Sequence, residues 1–374
     1  MDPGAHRWNR VRTGTTGWRG HAARTPDDKE RSMRRISRGT LAAVAAGALI
    51  LSACGGDGDG SDAVAKACLI TDTGGIDDKS FNETAWNGLV RAQSDLDVEV
   101  KYLESTSEAD YEPNIKAFVD EGCDIIVTVG FLLGDATEAA AIAYPDVKFA
   151  IVDYAYAETY PNLLGLVFAT EEAGFLAGYA SAAVTETGIV GTWGGINIPP
   201  VSAFMQGYLA GVNYHNAQKG TSVSVIGWDG SDGVFIGSFE AQDLGNAATR
   251  DMLQNGADVV MPVAGPAGLG AGTAIQDFGK GKLVWVDTDG YFSTPFAAIT
   301  FTSVEKRMDN AVFAAVKAVV DGNFAGGVYE GTIANDGVGI SPFHDFDGVV
   351  SAETKAELDA IRQGIVAGTI STTP

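Results

Sequence analysis

Eleven consecutive residues, Asp72-Thr73-Gly74-Gly75-Ile76-Asp77-Asp78-Lys79-Ser80-Phe81-Asn82, gather carboxylates, a hydroxyl, an amide and an aromatic ring in one glycine-bearing loop that runs into a helix. The free amides of a helix N-terminus attract anions, but Asp72, Asp77 and Asp78 together repel them. Carboxylates instead accept hydrogen bonds from hydroxyl and amino groups, which sugars and nucleobases supply. An Asp-rich helix cap accounts for Asp77 or Asp78, though not for Phe81 and Trp86 close by. A second constellation is Gly194-Gly195-Ile196-Asn197-Ile198-Pro199-Pro200-Val201-Ser202-Ala203-Phe204, which leads into a helix over Met205 to Val212. A proline-stiffened loop ending in an aromatic residue can hold its ring rigidly over a cleft. Phe81 and Phe204 can then sandwich a planar ligand, each stacked base adding about 1 to 3 kcal/mol. An aromatic residue at the spacing of Phe204 also suits a core position.

The elements that must carry these groups alternate between strand-like apolar runs and helix-length segments from Ala67 onwards, the pattern of βαβ units on a parallel sheet. Cys68 to Thr71, Val98 to Leu103, Ile125 to Val129, Phe149 to Val152 and Leu164 to Phe168 read as strands, with helices such as Glu83 to Leu96 and Tyr111 to Glu121 between them. The rhythm restarts with Ile189 to Trp193, Val223 to Gly227, Val259 to Val263, Leu283 to Val286 and Ala298 to Phe301. Two such sets predict an α/β protein of two doubly wound parallel-sheet lobes with a cleft between them. Leu358, Ile361 and Ile365 predict an amphipathic helix over Ser351 to Ile365. Ligands of these folds sit at the carboxyl ends of the strands. Those ends carry Asp72, Gly130-Phe131, Asp153-Tyr154, Gly194-Gly195, Gly265 and Asp287.

Ahead of the lobes, Arg34, Arg35 and Arg38 precede an apolar stretch from Leu41 to Leu51 that closes in Leu51-Ser52-Ala53-Cys54, a secretory signal with a lipobox. The stretch falls short of the roughly 20 residues that span a bilayer. Residues 1 to 32 read as an over-called translation start, 33–53 as the signal, and 54–64 as a lipid anchor on Cys54 followed by a flexible tether. Lobe 1 is expected over 65–168 and 288–322, and lobe 2 over 169–287 and 323–374. Of the 25 Lys and Arg, ten precede Cys54, and of the 48 Asp and Glu, four do; the rest of the chain therefore carries 15 basic against 44 acidic residues, a net charge of −29. That charge excludes nucleic acid as a partner.

Cys68 and Cys123 each begin a predicted strand, and either a disulfide or two buried thiols fits them. Downstream of Cys54 only His215 and His344 are histidines, so no metal-ligand spacing exists and no cofactor is expected. Neither a Gly-x-Ser-x-Gly elbow nor a P-loop occurs, and the adjacent Asp77 and Asp78 cannot flank a bond at the roughly 5 Å a retaining glycosidase requires. A binding protein rather than an enzyme is expected.

Asp72 to Asn82, Glu171-Glu172-Ala173-Gly174-Phe175-Leu176-Ala177-Gly178, Gly194 to Pro199 with Phe204 to Val212, and Thr302-Ser303-Val304-Glu305-Lys306-Arg307 together resemble the basic membrane protein (BMP) family of ABC-transporter substrate-binding lipoproteins, which includes purine nucleoside receptors. The resemblance runs in order over almost the whole chain after Cys54. It implies a type I periplasmic-binding-protein fold, a monomer held at the extracytoplasmic face of the cell membrane by lipid on Cys54, and permease and ATPase partners. It further implies a purine stacked between Phe81 and Phe204, base contacts from the 72–82 loop and Asp153, and ribose contacts from Asp287 and Lys306. The ligand set expected is Asp72, Asp77, Asp78, Ser80, Phe81, Asn82, Trp86, Phe131, Asp153, Phe204, Gly265, Asp287 and Lys306. The sequence departs from the family pattern at Asp77, where many relatives carry Asn, at Asp289-Gly290, which replaces Asp-Gln, and at Glu305, where an uncharged residue is usual. Another small polar solute, such as a sugar or a signalling molecule, is the alternative ligand on the same fold.

Overall fold

The computed structural model describes residues 65–373. The expected signal, Cys54 and the 54–64 tether lie outside the described residues. The described residues begin with Lys66–Thr71 (β1) and continue through Phe81–Leu96 (α1), Glu99–Leu103 (β2), Tyr111–Asp120 (α2), Ile125–Val129 (β3), Gly134–Ala143 (α3), Lys148–Val152 (β4) and Leu163–Phe168 (β5). The pattern then repeats as Thr170–Val184 (α4), Ile189–Gly194 (β6), Pro199–Lys219 (α5), Ser224–Ile226 (β7), Gln242–Gln254 (α6), Val259–Val263 (β8), Gly268–Phe278 (α7) and Lys282–Asp287 (β9). It finishes with Gly290–Ser293 (α8), Thr300–Lys306 (β10), Met308–Val320 (α9), Gly327–Gly331 (β11), Val338–Ile340 (β12) and Ala352–Val366 (α10).

Two six-stranded sheets form, ordered β11-β5-β4-β3-β1-β2 and β12-β10-β9-β8-β6-β7. The strand order is thus the same twice over. All pairings are parallel except β12 on β10. β3 and β8, at sheet centres, are buried at every position, as strands covered by helices on both faces must be. In lobe 1 the two sheet faces bury Leu69 with Val127 and Ala150 on one side, and Ile70 with Ile126 and Phe149 on the other. Lobe 2 does the same around Val190 with Val259, and around Trp193 with Val260.

The type I periplasmic-binding-protein architecture expected from the sequence is therefore the one observed, with differences in detail. Each sheet has a sixth strand, β11 or β12, that the apolar pattern did not reveal, because β11 reads Gly-Val-Tyr-Glu-Gly with no apolar run, β12 has only three residues, and both pair with strands distant in sequence. β10 runs over 300–306 rather than 298–301; residues 297–299 form a 3-10 turn, and the strand continues through Glu305 to a buried Lys306. The lobe boundaries also shift. β9 and β10 lie in one sheet, so residues up to 306 belong to lobe 2, whereas α9 packs on α1 and β11 completes the lobe 1 sheet. The chain therefore crosses between lobes after Phe168, after Lys306 and after Gly331.

Pro199 and Pro200 do not stiffen a loop. They start α5, because proline at the first helical positions costs no hydrogen bond and has the right φ. This helix packs along α4 at very close range: a Cβ at Gly178 would collide with Tyr208 O, and one at Gly211 with Phe175 O. The glycines of the 171–178 motif thus seat the helix that carries Phe204. In lobe 1, Cys68 of β1 and Cys123, just before β3, form a disulfide with Cα atoms 6.1 Å apart, which decides between the two readings left open by the sequence.

Candidate functional site: the interlobe cleft

The carboxyl ends of the two sheets face each other across a cleft with about 550 Å³ of empty space, part of it open to solvent. Lobe 1 contributes Asp72, Thr73, Asp78, Phe81, Asn82, Gly130, Phe131 and Asp153 to its lining. Lobe 2 contributes Ile198, Pro200, Val201, Phe204, Phe239, Val263, Ala264, Gly265, Pro266, Val286, Asp287 and Lys306. Four carboxyls and one ammonium make it an acidic site with aromatic walls.

Lys306 is the centre of the polar network. Only 2% exposed, its Nζ donates to Asp153 Oδ2 at 2.7 Å and lies 3.8 Å from Asp287 Oδ1. The same ammonium sits 4.6 Å from the ring centre of Phe81, 5.5 Å from that of Phe204 and 5.8 Å from that of Phe168. Rings within about 6 Å attract a cation through their quadrupoles, so aromatic faces and carboxylates together offset the desolvation of this buried charge. Asp153 and Asp287 occupy equivalent places, just after β4 and at the end of β9, and both have left-handed backbones with φ of 71° and 70°. Such conformations are uncommon outside glycine and concentrate at functional sites. Burial pushes the Asp287 carboxyl up, and Lys306 and Ser80 pull it down; Ser80 Oγ donates to Asp287 Oδ2 at 2.6 Å.

The 72–82 loop is organised by Asp78. Its Oδ1 accepts from the backbone N–H of Ser80 and Glu83, each at 3.0 Å, and its Oδ2 accepts from Asn82 N–H at 2.9 Å, so it caps α1. Burial nevertheless pushes its carboxyl up to about 7. Asp72 is raised well above the usual carboxylate range by burial first and then by the neighbouring Asp78 charge. Gly130, at φ 123°, makes room for it, since a Cβ there would collide with the Asp72 carboxylate. Asn82 donates from Nδ2 to Thr73 O at 3.3 Å, and its buried Oδ1 has no partner among the described residues.

Ten of the thirteen sequence-predicted ligand residues line this cleft: Asp72, Asp78, Phe81, Asn82, Phe131, Asp153, Phe204, Gly265, Asp287 and Lys306. Ser80 stands behind them and holds Asp287. Asp77 is exposed and Trp86 packs edge-on against Tyr102 at 5.1 Å, so the structure takes both out of the lining. Asp77 is outside because it is the solvent-facing residue of the turn, and Trp86 because it stands about 140° round α1 from Phe81, on the side of Tyr102 of β2. Sequence reasoning missed Phe239, Phe168 and Pro266. Phe239 sits in the connection from Gly227 to Ala241 between β7 and α6, and a connection of that length was itself a signal, since long loops in compact domains are usually functional.

Residues 65–373 match the family described as ABC transporter substrate-binding protein PnrA-like. The chain belongs to this family. As a PnrA-like substrate-binding protein it is 31% identical over 323 residues to basic membrane protein A of Borreliella burgdorferi, covering 85% of this chain and 90% of that one. It is 32% identical over 313 residues to an uncharacterized lipoprotein of Pyrococcus abyssi, covering 80% and 74% of the two chains. Among solved structures, an ABC transporter solute-binding protein from Aeropyrum pernix K1 superposes with a TM-score of 0.76 at 28% identity, covering 83% of this chain and 94% of that one. A second, from Conexibacter woesei, gives 0.66 at 21% identity, covering 83% of this chain and all of the other, and shows the shared fold. Membership of this extracytoplasmic family implies work alongside the permease and ATPase components of an ABC transporter.

Proposed function

We propose that this PnrA-like protein captures a purine nucleoside in the interlobe cleft and delivers it to its permease from a lipid anchor at Cys54, without catalysing a reaction. The observation that carries this reading is that Phe81 and Phe204, one from each lobe, both line the cleft with their ring centres 4.6 and 5.5 Å from the Lys306 ammonium, beside Asp153 and Asp287. Two aromatic faces suit a planar base. Vicinal hydroxyls both donate and accept, and so suit carboxylates beside an ammonium. The unpartnered Asn82 Oδ1 and the Asp72 carboxyl supply polar groups for a base edge. Lys306 is the one cation among the lining residues and already serves Asp153 and Asp287, which disfavours phosphorylated ligands and points to nucleosides over nucleotides.

Because both lobes contribute contacts, the bound ligand holds them together and the closed form is what the permease recognises. The test is calorimetric titration of the protein, denatured and refolded to strip any co-purified ligand, with adenosine, guanosine, inosine, uridine, cytidine and several sugars. Sub-micromolar purine nucleoside binding with weak pyrimidine binding is expected. Silence towards every nucleoside moves the ligand to another class.

A further inference from the structure

Among the described residues, and away from the three crossover segments, five polar contacts join the lobes. Four are partly or wholly buried: Lys306 to Asp153, Ser80 Oγ to Asp287 Oδ2 and to Val286 O, and Trp285 Nε1, which donates to Lys79 O at 3.3 Å. The fifth stands apart at the solvent-facing rim. Gly74 N–H of lobe 1 donates to Glu240 Oε1 of lobe 2 at 3.1 Å. Neither residue lines the cleft, yet their neighbours Thr73 and Phe239 do.

Both ends of this contact are shaped in advance. Gly74 has φ of 112°, a conformation that side-chain-bearing residues rarely adopt, and its Cα-side face lies against the Pro266 ring of the opposite lobe. Glu240 rides on a loop fixed to the lobe 2 sheet at several points. Gly237 N–H donates to Gly195 O at 2.8 Å, Ala267 N–H to Phe239 O at 2.8 Å, and the Ser238 hydroxyl accepts from the N–H groups of Glu240 and Ala241 at 3.0 and 3.1 Å. One rigid loop therefore carries an aromatic wall of the site and, at the next residue, an acceptor that reaches across to the other lobe.

We infer that Glu240 is a latch: its carboxylate bonds the Gly74 amide only when the lobes are together, and so sets how long a solute stays trapped without touching that solute. Such a latch goes beyond the capture of any particular ligand. Its test has two arms, with Glu240→Ala removing the acceptor and Glu240→Gln keeping a neutral one.

In the first arm, hydrogen exchange at the Gly74 amide is followed in the full protein, as purified and with saturating guanosine. Protection at Gly74 is expected to fall in Glu240→Ala and to be largely kept in Glu240→Gln, while the amides of β3 are unchanged. In the second, guanosine release is timed by stopped-flow tryptophan fluorescence. It is expected to be about fivefold faster in Glu240→Ala, with the association rate within about twofold of the unmodified protein, in line with loss of one hydrogen bond to a charged group at an exposed site. Equal Gly74 exchange in the unmodified protein and Glu240→Ala overturns the latch whether or not guanosine binds. If guanosine binds, an unchanged release rate overturns it too. An unmodified protein that takes up no guanosine overturns the nucleoside reading instead and leaves the exchange arm to decide the latch.

Discussion

Lys306 of β10 and Asp153, immediately after β4, form an ion pair of 2.7 Å that joins the two lobes, with side chains only 2% and 8% exposed. Removing one partner of a buried pair leaves an uncompensated charge, at a cost of roughly 3 to 5 kcal/mol. Asp287 at 3.8 Å and the Phe81 ring offset part of that cost here. Asp153→Ala is therefore expected to lower the unfolding free energy by about 3 kcal/mol. Asp153→Asn, which tolerates the left-handed backbone and keeps an acceptor oxygen, is expected to lower it by less. Urea denaturation of both variants measures the difference, and a loss below about 1 kcal/mol for Asp153→Ala would show that the pair matters little.

Phe204 is 2% exposed and belongs to the lobe 2 core as well as to the cleft lining. Both readings of this residue made from spacing alone thus describe part of its surroundings. Phe204→Ala is expected to weaken purine nucleoside binding by about 1 to 3 kcal/mol and to lower the unfolding free energy by about 3 kcal/mol as well. Phe204→Leu restores most of the packing without the π-face, so it separates the effects: stability near that of the unmodified protein with binding still weakened. Unchanged affinity in Phe204→Leu removes stacking from the explanation.

What the sequence made legible followed from local pattern. Runs such as Ile125–Val129 and Val259–Val263 are apolar but for Thr128 because parallel strands are covered on both sides, and the residues after them fall at the cleft by topology alone. What it hid depends on pairing at a distance. β11 and β12 carry no apolar run of strand length, and each joins the sheet of a lobe the chain had already left. Lys306 read as a solvated lysine on its own, and only the resemblance of residues 302–307 to a family motif raised it. Its burial depends on Asp153, 153 residues earlier, and on rings from both lobes. Pro199 and Pro200 misled because proline is equally at home in a loop and in the first turn of a helix.

The Cys68–Cys123 disulfide closes a loop with a sequence separation of 55 residues. In the chain-entropy description a loop of that size restricts the unfolded chain by about 4 kcal/mol. The bond ties β1 to the segment before β3 and therefore braces the strand that leads into Asp72. Replacing both cysteines by alanine is expected to lower the unfolding free energy by about 4 kcal/mol while nucleoside affinity stays within about twofold, since neither sulfur lines the cleft. Equal denaturation midpoints for the two proteins would sink the first expectation.

Asp78 makes stability depend on pH in a direction opposite to that of most surface acids. Burial raises its carboxyl from 3.8 to about 7 in the folded protein, against the pull of three backbone N–H donors, whereas the unfolded chain titrates near the ordinary value. The folded state therefore holds a proton that the unfolded state has released, and this favours folding fully below about pH 4. The advantage declines as pH rises and is gone above the folded value near 7. A tenfold difference in proton affinity between the two states is worth about 1.4 kcal/mol, so the change across the window is on the order of a few kcal/mol. Asp72 and Asp287, also raised by burial, act in the same sense. Urea denaturation at constant ionic strength is expected to give an unfolding free energy that falls between pH 5 and pH 8 more steeply in the unmodified protein than in Asp78→Asn, which carries no titrating group at this position. Parallel slopes in the two proteins would mean that the three N–H donors hold Asp78 as a carboxylate throughout and that its burial exacts no proton.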